Sequence, residues 1–198
     1  MKIRTIALAS SALAATLVLA GCTTTSGMGG MDHSSTSTPS SPASATFNNA
    51  DETFAMGMIA HHQQAIEMAD LLLDKEGVDE RVTDLAFDIK DAQGPEIELM
   101  NGWLADWGIV PEGSGMEGMD HSGGMMSDED MAALENATGP ESSSLFLEQM
   151  IEHHQGAIDM AEQELDNGEN PDALALAQKI IDDQSAEIAT MQGILATL

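Results

Sequence analysis

Apolar residues along this chain dominate one fifteen-residue run and mark four periodic stretches. The run is Ile6 to Ala20, just behind the basic Lys2 and Arg4. The periodic stretches lie at 47–76, 79–107, 142–167 and 171–198, with apolar side chains every three or four positions. That spacing is one face of an α-helix, and no stretch alternates as a strand would, so no sheet is predicted. Local signals sharpen the ends. Asn49 with Glu52 suits a capping box, and Gly77 suits the position just past a helix end. Asn170-Pro171 reads as an N-cap and first turn. Gly94-Pro95 falls inside the second helix and predicts a kink or break there. Ser127 with Asp130 predicts a short extra helix through Glu135. Short links make helices one and two, and three and four, antiparallel neighbours. The expected fold is all-α: an antiparallel four-helix bundle of two helical hairpins at 47–107 and 142–198, joined by a long crossover at 108–141.

The two hairpins are copies. Met58 to Ala69 and Met150 to Ala161 agree at nine of twelve positions, at an offset of 92 (150 − 58). Leu85, Ile89, Gln93, Glu96, Met100 and Leu104 recur as Leu176, Ile180, Gln184, Glu187, Met191 and Leu195, at an offset of 91 (176 − 85). At about 100° per residue, His61 and His62 both fall inside the apolar arc of Phe54, Met58, Ala65 and Leu72. Gln93, Glu96 and Met100 share the arc of Leu85 and Ile89. Each copy thus turns polar side chains toward the interior, where an unpaired polar group is costly. Two readings follow. The set is a hydrogen-bond network of His with Glu and Gln, or it is a metal site drawn from His61, His62, His153, His154, Glu96, Glu187, Met58, Met150, Met100 and Met191. Adjacent side chains diverge by about 100°, so one His of each pair would support rather than ligate.

Composition changes the picture at two points. With 34 acids against six bases, the chain repels the phosphates of nucleic acid and attracts cations. Fifteen methionines in 198 residues are unusual: Met fills core gaps, but its thioether sulfur is also a soft ligand for copper, especially Cu(I). Several sit in an octet that occurs twice, Gly27 to Ser34 and Gly115 to Ser122, with the pattern Gly-Met-x-Gly-Met-Asp-His-Ser. Met28, Met31 and His33, and again Met116, Met119 and His121, give each octet two thioethers and an imidazole on pliant backbone. Copper is the expected ion, with Zn, Fe or Mn as alternatives.

The N-terminus reads as an export signal over 1–21, too short to span a membrane comfortably. It ends in Leu19-Ala20-Gly21-Cys22, which resembles a bacterial lipoprotein box. Cys22, the only cysteine, would carry the lipid, and no disulfide within the chain can form. Residues 22–46, rich in Ser, Thr and Gly, read as a disordered tether between that anchor and the bundle at 47–198. The expected location is the outer face of a bacterial membrane, at the cell surface or in the periplasm.

Phe54 to Ala69 followed by Gln93 to Leu104 resembles the bacterial domain-of-unknown-function family number three hundred and five. The pattern is Phe-x-x-x-Met-Ile-x-His-His-x-x-Ala-Ile-x-Met-Ala, then Gln-x-x-Glu-Ile-x-x-Met-x-x-Trp-Leu. Phe146 to Ala161 and Gln184 to Leu195 match it again, without the tryptophan. The resemblance implies a ferritin-like fold and, for some members, copper binding and resistance in the periplasm. The Glu-x-x-His motif of di-iron bundles is absent. The leading expectation is therefore a lipid-anchored protein that sequesters or delivers copper. A metal-dependent oxidoreductase and a purely structural lipoprotein stay as alternatives, and a homo-oligomer and a metal-exchange partner stay open.

Overall fold

The computed structural model describes residues 46–110 and 123–198. The expected signal peptide, most of the tether, Cys22, both octets and so Met28, Met31, His33, Met116, Met119 and His121 lie outside them. Among the described residues five helices form: α1 (Asn49–Leu73), α2 (Glu80–Trp107), α3 (Asp128–Asn136), α4 (Gly139–Asn167) and α5 (Pro171–Leu195). No strand occurs among the described residues. α1 packs on α2 and α4 on α5, α1 and α4 join the two hairpins, and the short α3 lies against both of these.

The helix starts are local chemistry. α1 is capped one residue earlier than Asn49. Asn48 accepts from the Ala50 and Asp51 amides, and the Asp51 carboxylate accepts from the Asn48 amide. α1 also stops at Leu73, so Gly77 with its φ of 79° shapes the turn rather than the helix end. Ser127 and Asp130 make the expected box for α3. Asn170 caps α5 by accepting from the Asp172 and Ala173 amides. α4 begins at Gly139, three residues before the expected Ser142, with Pro140 in its first turn. α2 runs as one helix through Pro95, so of the expected kink or break there is no break.

The hairpins are related by an approximate two-fold axis, and matched residues show it. Asp51 at the start of α1 accepts from the Asn170 amide in the α4–α5 turn at 2.8 Å. Its counterpart Ser143 at the start of α4 accepts from the Asp79 amide in the α1–α2 turn at 3.0 Å. The core obeys the same axis. One apolar cluster holds Ala65, Met68, Leu72, Val82, Leu85, Ile89, Phe146, Leu147, Met150 and Met191. The other holds Phe54, Met58, Ile59, Met100, Leu104, Ala157, Ala161, Leu176 and Ile180. Each cluster takes the first half of one hairpin's opening helix and the last half of the other's, so α1 and α4 run antiparallel. Between the clusters, in all four long helices, lie His61, His62, Gln93, Glu96, His153, His154, Gln184 and Glu187.

Candidate metal centre

The four histidines are buried to 1 % exposure or less, in a layer across the middle of the bundle. They divide into two roles. His61 on α1 and His153 on α4 meet near the two-fold axis, with ring centroids 3.7 Å apart. His62 turns back to its own hairpin, where its Nε2 lies 2.9 Å from Glu96 Oε2. His154 does the same, with Nε2 2.6 Å from Glu187 Oε2. The divergence of neighbouring side chains on a helix thus sorts each His-His pair into one central imidazole and one anchored on a carboxylate.

The two carboxylates are not equivalent. Lys179 on α5 donates to Glu96 Oε1 at 2.9 Å and to Asp183 at 2.5 Å. Burial alone would raise the Glu96 pKa, but hydrogen bonds from His62 and Lys179 outweigh it and hold the group below the usual range. Glu187 receives no such lysine, because the counterpart of Lys179 in the first hairpin is Asp88. Its side chain is 22 % exposed against 11 % for Glu96.

The central pair is neutral. Burial, reinforced by the neighbouring imidazoles, pushes His61 down to about 3 and His153 well below its ordinary value. A neutral imidazole carries one proton. On His61 it sits on Nε2, which donates at 2.9 Å to the carbonyl of Gly123, an acceptor only. What remains is a set of buried nitrogens with no hydrogen-bond partner among the described residues: Nδ1 of His61, His62 and His154, and both nitrogens of His153. An imidazole whose one N–H is tied to a carboxylate or carbonyl, and whose other nitrogen is free, is the usual state of a metal-ligating histidine. The donor set therefore fits a transition metal. It is not a finished cage: among the described residues no three His, Cys, Asp or Glu side chains converge on one point. Nor do the expected thioethers gather on the rings. Met58 and Met100 are buried in one apolar cluster and Met150 and Met191 in the other, so they flank the layer on opposite sides.

Four participants escaped the sequence reading: Lys179, Gly123, Gln64 and Gly156. The last two occupy matched positions in the repeat, and a difference between otherwise identical copies was the available signal. Gln64 Nε2 donates to the Met126 carbonyl at 2.8 Å and its Oε1 accepts from the Met126 amide at 2.7 Å. At Gly156 a Cβ would overlap the Gly123 carbonyl and Gly124.

An antiparallel helical bundle with a paired His-His layer at its centre defines the class. The chain belongs to the DUF305 family, a domain of unknown function, which it matches over residues 51–195. It is similar to solved DUF305 structures from Streptomyces coelicolor, at 32% identity over 74% of this chain and 91% of that one, TM-score 0.68, and from Deinococcus radiodurans, at 32% identity over 76% and 98%, TM-score 0.69. It is also similar to CopM in its Cu(II)-bound form, at 33% identity over 74% of this chain and 95% of that one, TM-score 0.62. CopM is known in Cu(I)- and silver-bound forms as well. No curated protein matches the chain.

Proposed function

We propose that this protein binds copper outside the cytoplasm and holds it for storage or transfer, with no turnover. The observation that carries the reading is the set of buried imidazole nitrogens without partners among the described residues, three of them on rings whose other nitrogen is tied down. Leaving such groups unsatisfied costs roughly 1–3 kcal/mol each, which a soft cation would offset. A copper-binding relative at 33% identity supports the choice of ion. The octets supply Met28, Met31, His33, Met116, Met119 and His121 as capture groups, and thioethers compete well for Cu(I). Met58, Met100, Met150 and Met191 would complete the bundle site from above and below the layer. Copper is cargo here rather than a resident cofactor.

The test is copper stoichiometry on untagged protein. His61→Ala and His153→Ala should each lower bound Cu(I), and replacing 115–122 with Gly/Ser should lower it separately while leaving Zn(II) uptake almost unchanged. Full copper retention in both histidine variants would sink the bundle site. Export and anchoring belong to the same reading: Leu19 to Cys22 has the lipoprotein pattern, and the Streptomyces relative is described as secreted. No helix among the described residues is long and apolar enough to cross a membrane. Attachment would then rest on acyl chains at Cys22. Cys22→Ser should shift the protein from the membrane pellet to the exported supernatant, and unchanged pelleting would remove the lipid from the account.

A further inference from the structure

The repeat is broken at one matched pair beside the histidines, and both halves of the break touch the same piece of chain. Where the first copy has Gln64, the second has Gly156. Gln64 grips the Met126 backbone at two atoms. Gly156 leaves the space into which the backbone of Gly123 and Gly124 descends onto α4. Gly123 and Gly124 take φ of 106° and 76°, which side-chain-bearing residues rarely adopt, and a Cβ on Gly124 would overlap Glu152 and Gly156 backbone. Met126 is buried in the apolar cluster below. Residues 123–126 are therefore clamped across α1 and α4 at both ends, directly over the central histidines. The clamp breaks the two-fold symmetry: His61 Nε2 meets the Gly123 carbonyl, while its partner His153 has no hydrogen bond at either nitrogen among the described residues.

We propose that Gln64 and Gly156 are positioning residues for the bundle's metal site: they seat residues 123–126 so that the Gly123 carbonyl locks His61 as the Nε2–H tautomer and leaves its buried Nδ1 as the atom that takes Cu(I). A carbonyl only accepts, so the seated strap permits one tautomer of a neutral ring. Lifting the strap frees the proton to sit on either nitrogen, and a ring protonated at Nδ1 cannot offer that atom to an ion. His153, with no hydrogen bond among the described residues to fix its ring, adjusts to the ion that the locked ring presents. The inference rests on the copper-binding reading of the bundle, and it concerns the metal-free state first.

The experiment is two-bond proton–nitrogen NMR of the imidazoles in the metal-free, isotope-labelled full chain, paired with Cu(I) affinity by competition against a chelator. The variants are Gly156→Ala, which drives a methyl into the Gly123 carbonyl, and Gln64→Ala, which removes both bonds to Met126 and adds no bulk. The second serves even if the first does not fold. The native chain should show His61 as a pure Nε2–H tautomer. Each folded variant should show His61 as a tautomer mixture, with His62 and His154 unchanged on their carboxylates. Cu(I) affinity should fall by roughly 10–100-fold, the usual loss when a ligand's hydrogen-bond partner is removed. An unchanged His61 tautomer in the folded variants overturns the positioning role and leaves the copper reading intact. A switched tautomer with unchanged Cu(I) affinity also overturns it, and removes His61 from the ligand set as well.

Discussion

A single position shows how far one residue can depart from its copy. Leu72 in the first hairpin is a fully buried member of an apolar cluster. Its counterpart in the second is Glu164 (72 + 92), which is 1 % exposed. Glu164 faces Asp51, whose carboxylate already accepts from the amides of Asn48, Glu169 and Asn170. Burial, together with Asp51, pushes Glu164 up to about 8. The unfolded chain releases this proton near 4.5 and the folded chain keeps it to about 8. Stability from this group is therefore fully present below about 4.5 and falls as pH climbs to 8. Asp51 is displaced downward, burial opposing and the amides prevailing, so its own effect lies at acid pH. Glu164→Leu, which restores the first copy's residue, should melt higher than the native chain at pH 8, by roughly 1–3 kcal/mol of relieved burial. The advantage should shrink toward pH 5. A pH-independent difference in thermal midpoints would show that the carboxyl is not the cause. Nothing along the chain warns of this, because a Glu near a helix end reads as solvated charge until its opposing Asp is known.

At the scale of elements the periodicity was sufficient for four of the five helices, and their errors have physical causes. α2 survives Pro95 because the proline lies on the exposed side, where solvent can meet the carbonyl it leaves unbonded, while Gln93, Glu96 and Met100 bury the opposite face. The start of α4 moved to Gly139 because Pro140 tolerates a first turn as well as it tolerates a loop. α3 was legible from its capping box, but not its purpose. Its one buried side chain is Leu134, which joins the apolar cluster that holds Leu72, Phe146 and Met150, and Gln149 on α4 donates to the Asp130 carbonyl at 2.9 Å. Leu134→Ala should cost roughly 2–5 kcal/mol and should speed amide exchange across 128–136 more than across α5. An unchanged denaturation midpoint would mean that α3 is only laid on the surface.

For the molecule as a whole, the helical wheel identified which residues face inward, and the His, Gln and Glu of the layer were all found that way. It could not say which of them meet, because a wheel discards height along the axis, and the relative height of two helices depends on packing. Hence the methionines, legible as interior, were grouped with the histidines, and the structure places them above and below. Pairing within a hairpin, His62 with Glu96 and His154 with Glu187, was likewise out of reach until the register of α1 on α2 was set.

The approximate two-fold axis carries a consequence for assembly. An interface whose two sides are near-copies is an isologous dimer interface that happens to lie within one polypeptide. Each apolar cluster draws on both hairpins, so neither hairpin alone can cover its own face. A hairpin of residues 46–110, cut free of its tandem partner, still carries a surface nearly complementary to itself. It should pair with a second copy, placing two His61 rings where His61 and His153 now meet. Sedimentation should show a helical dimer that dissociates and unfolds together on dilution. A folded monomer at every concentration would mean that the halves have diverged beyond exchange, and that the joined bundle is now the smallest self-sufficient unit.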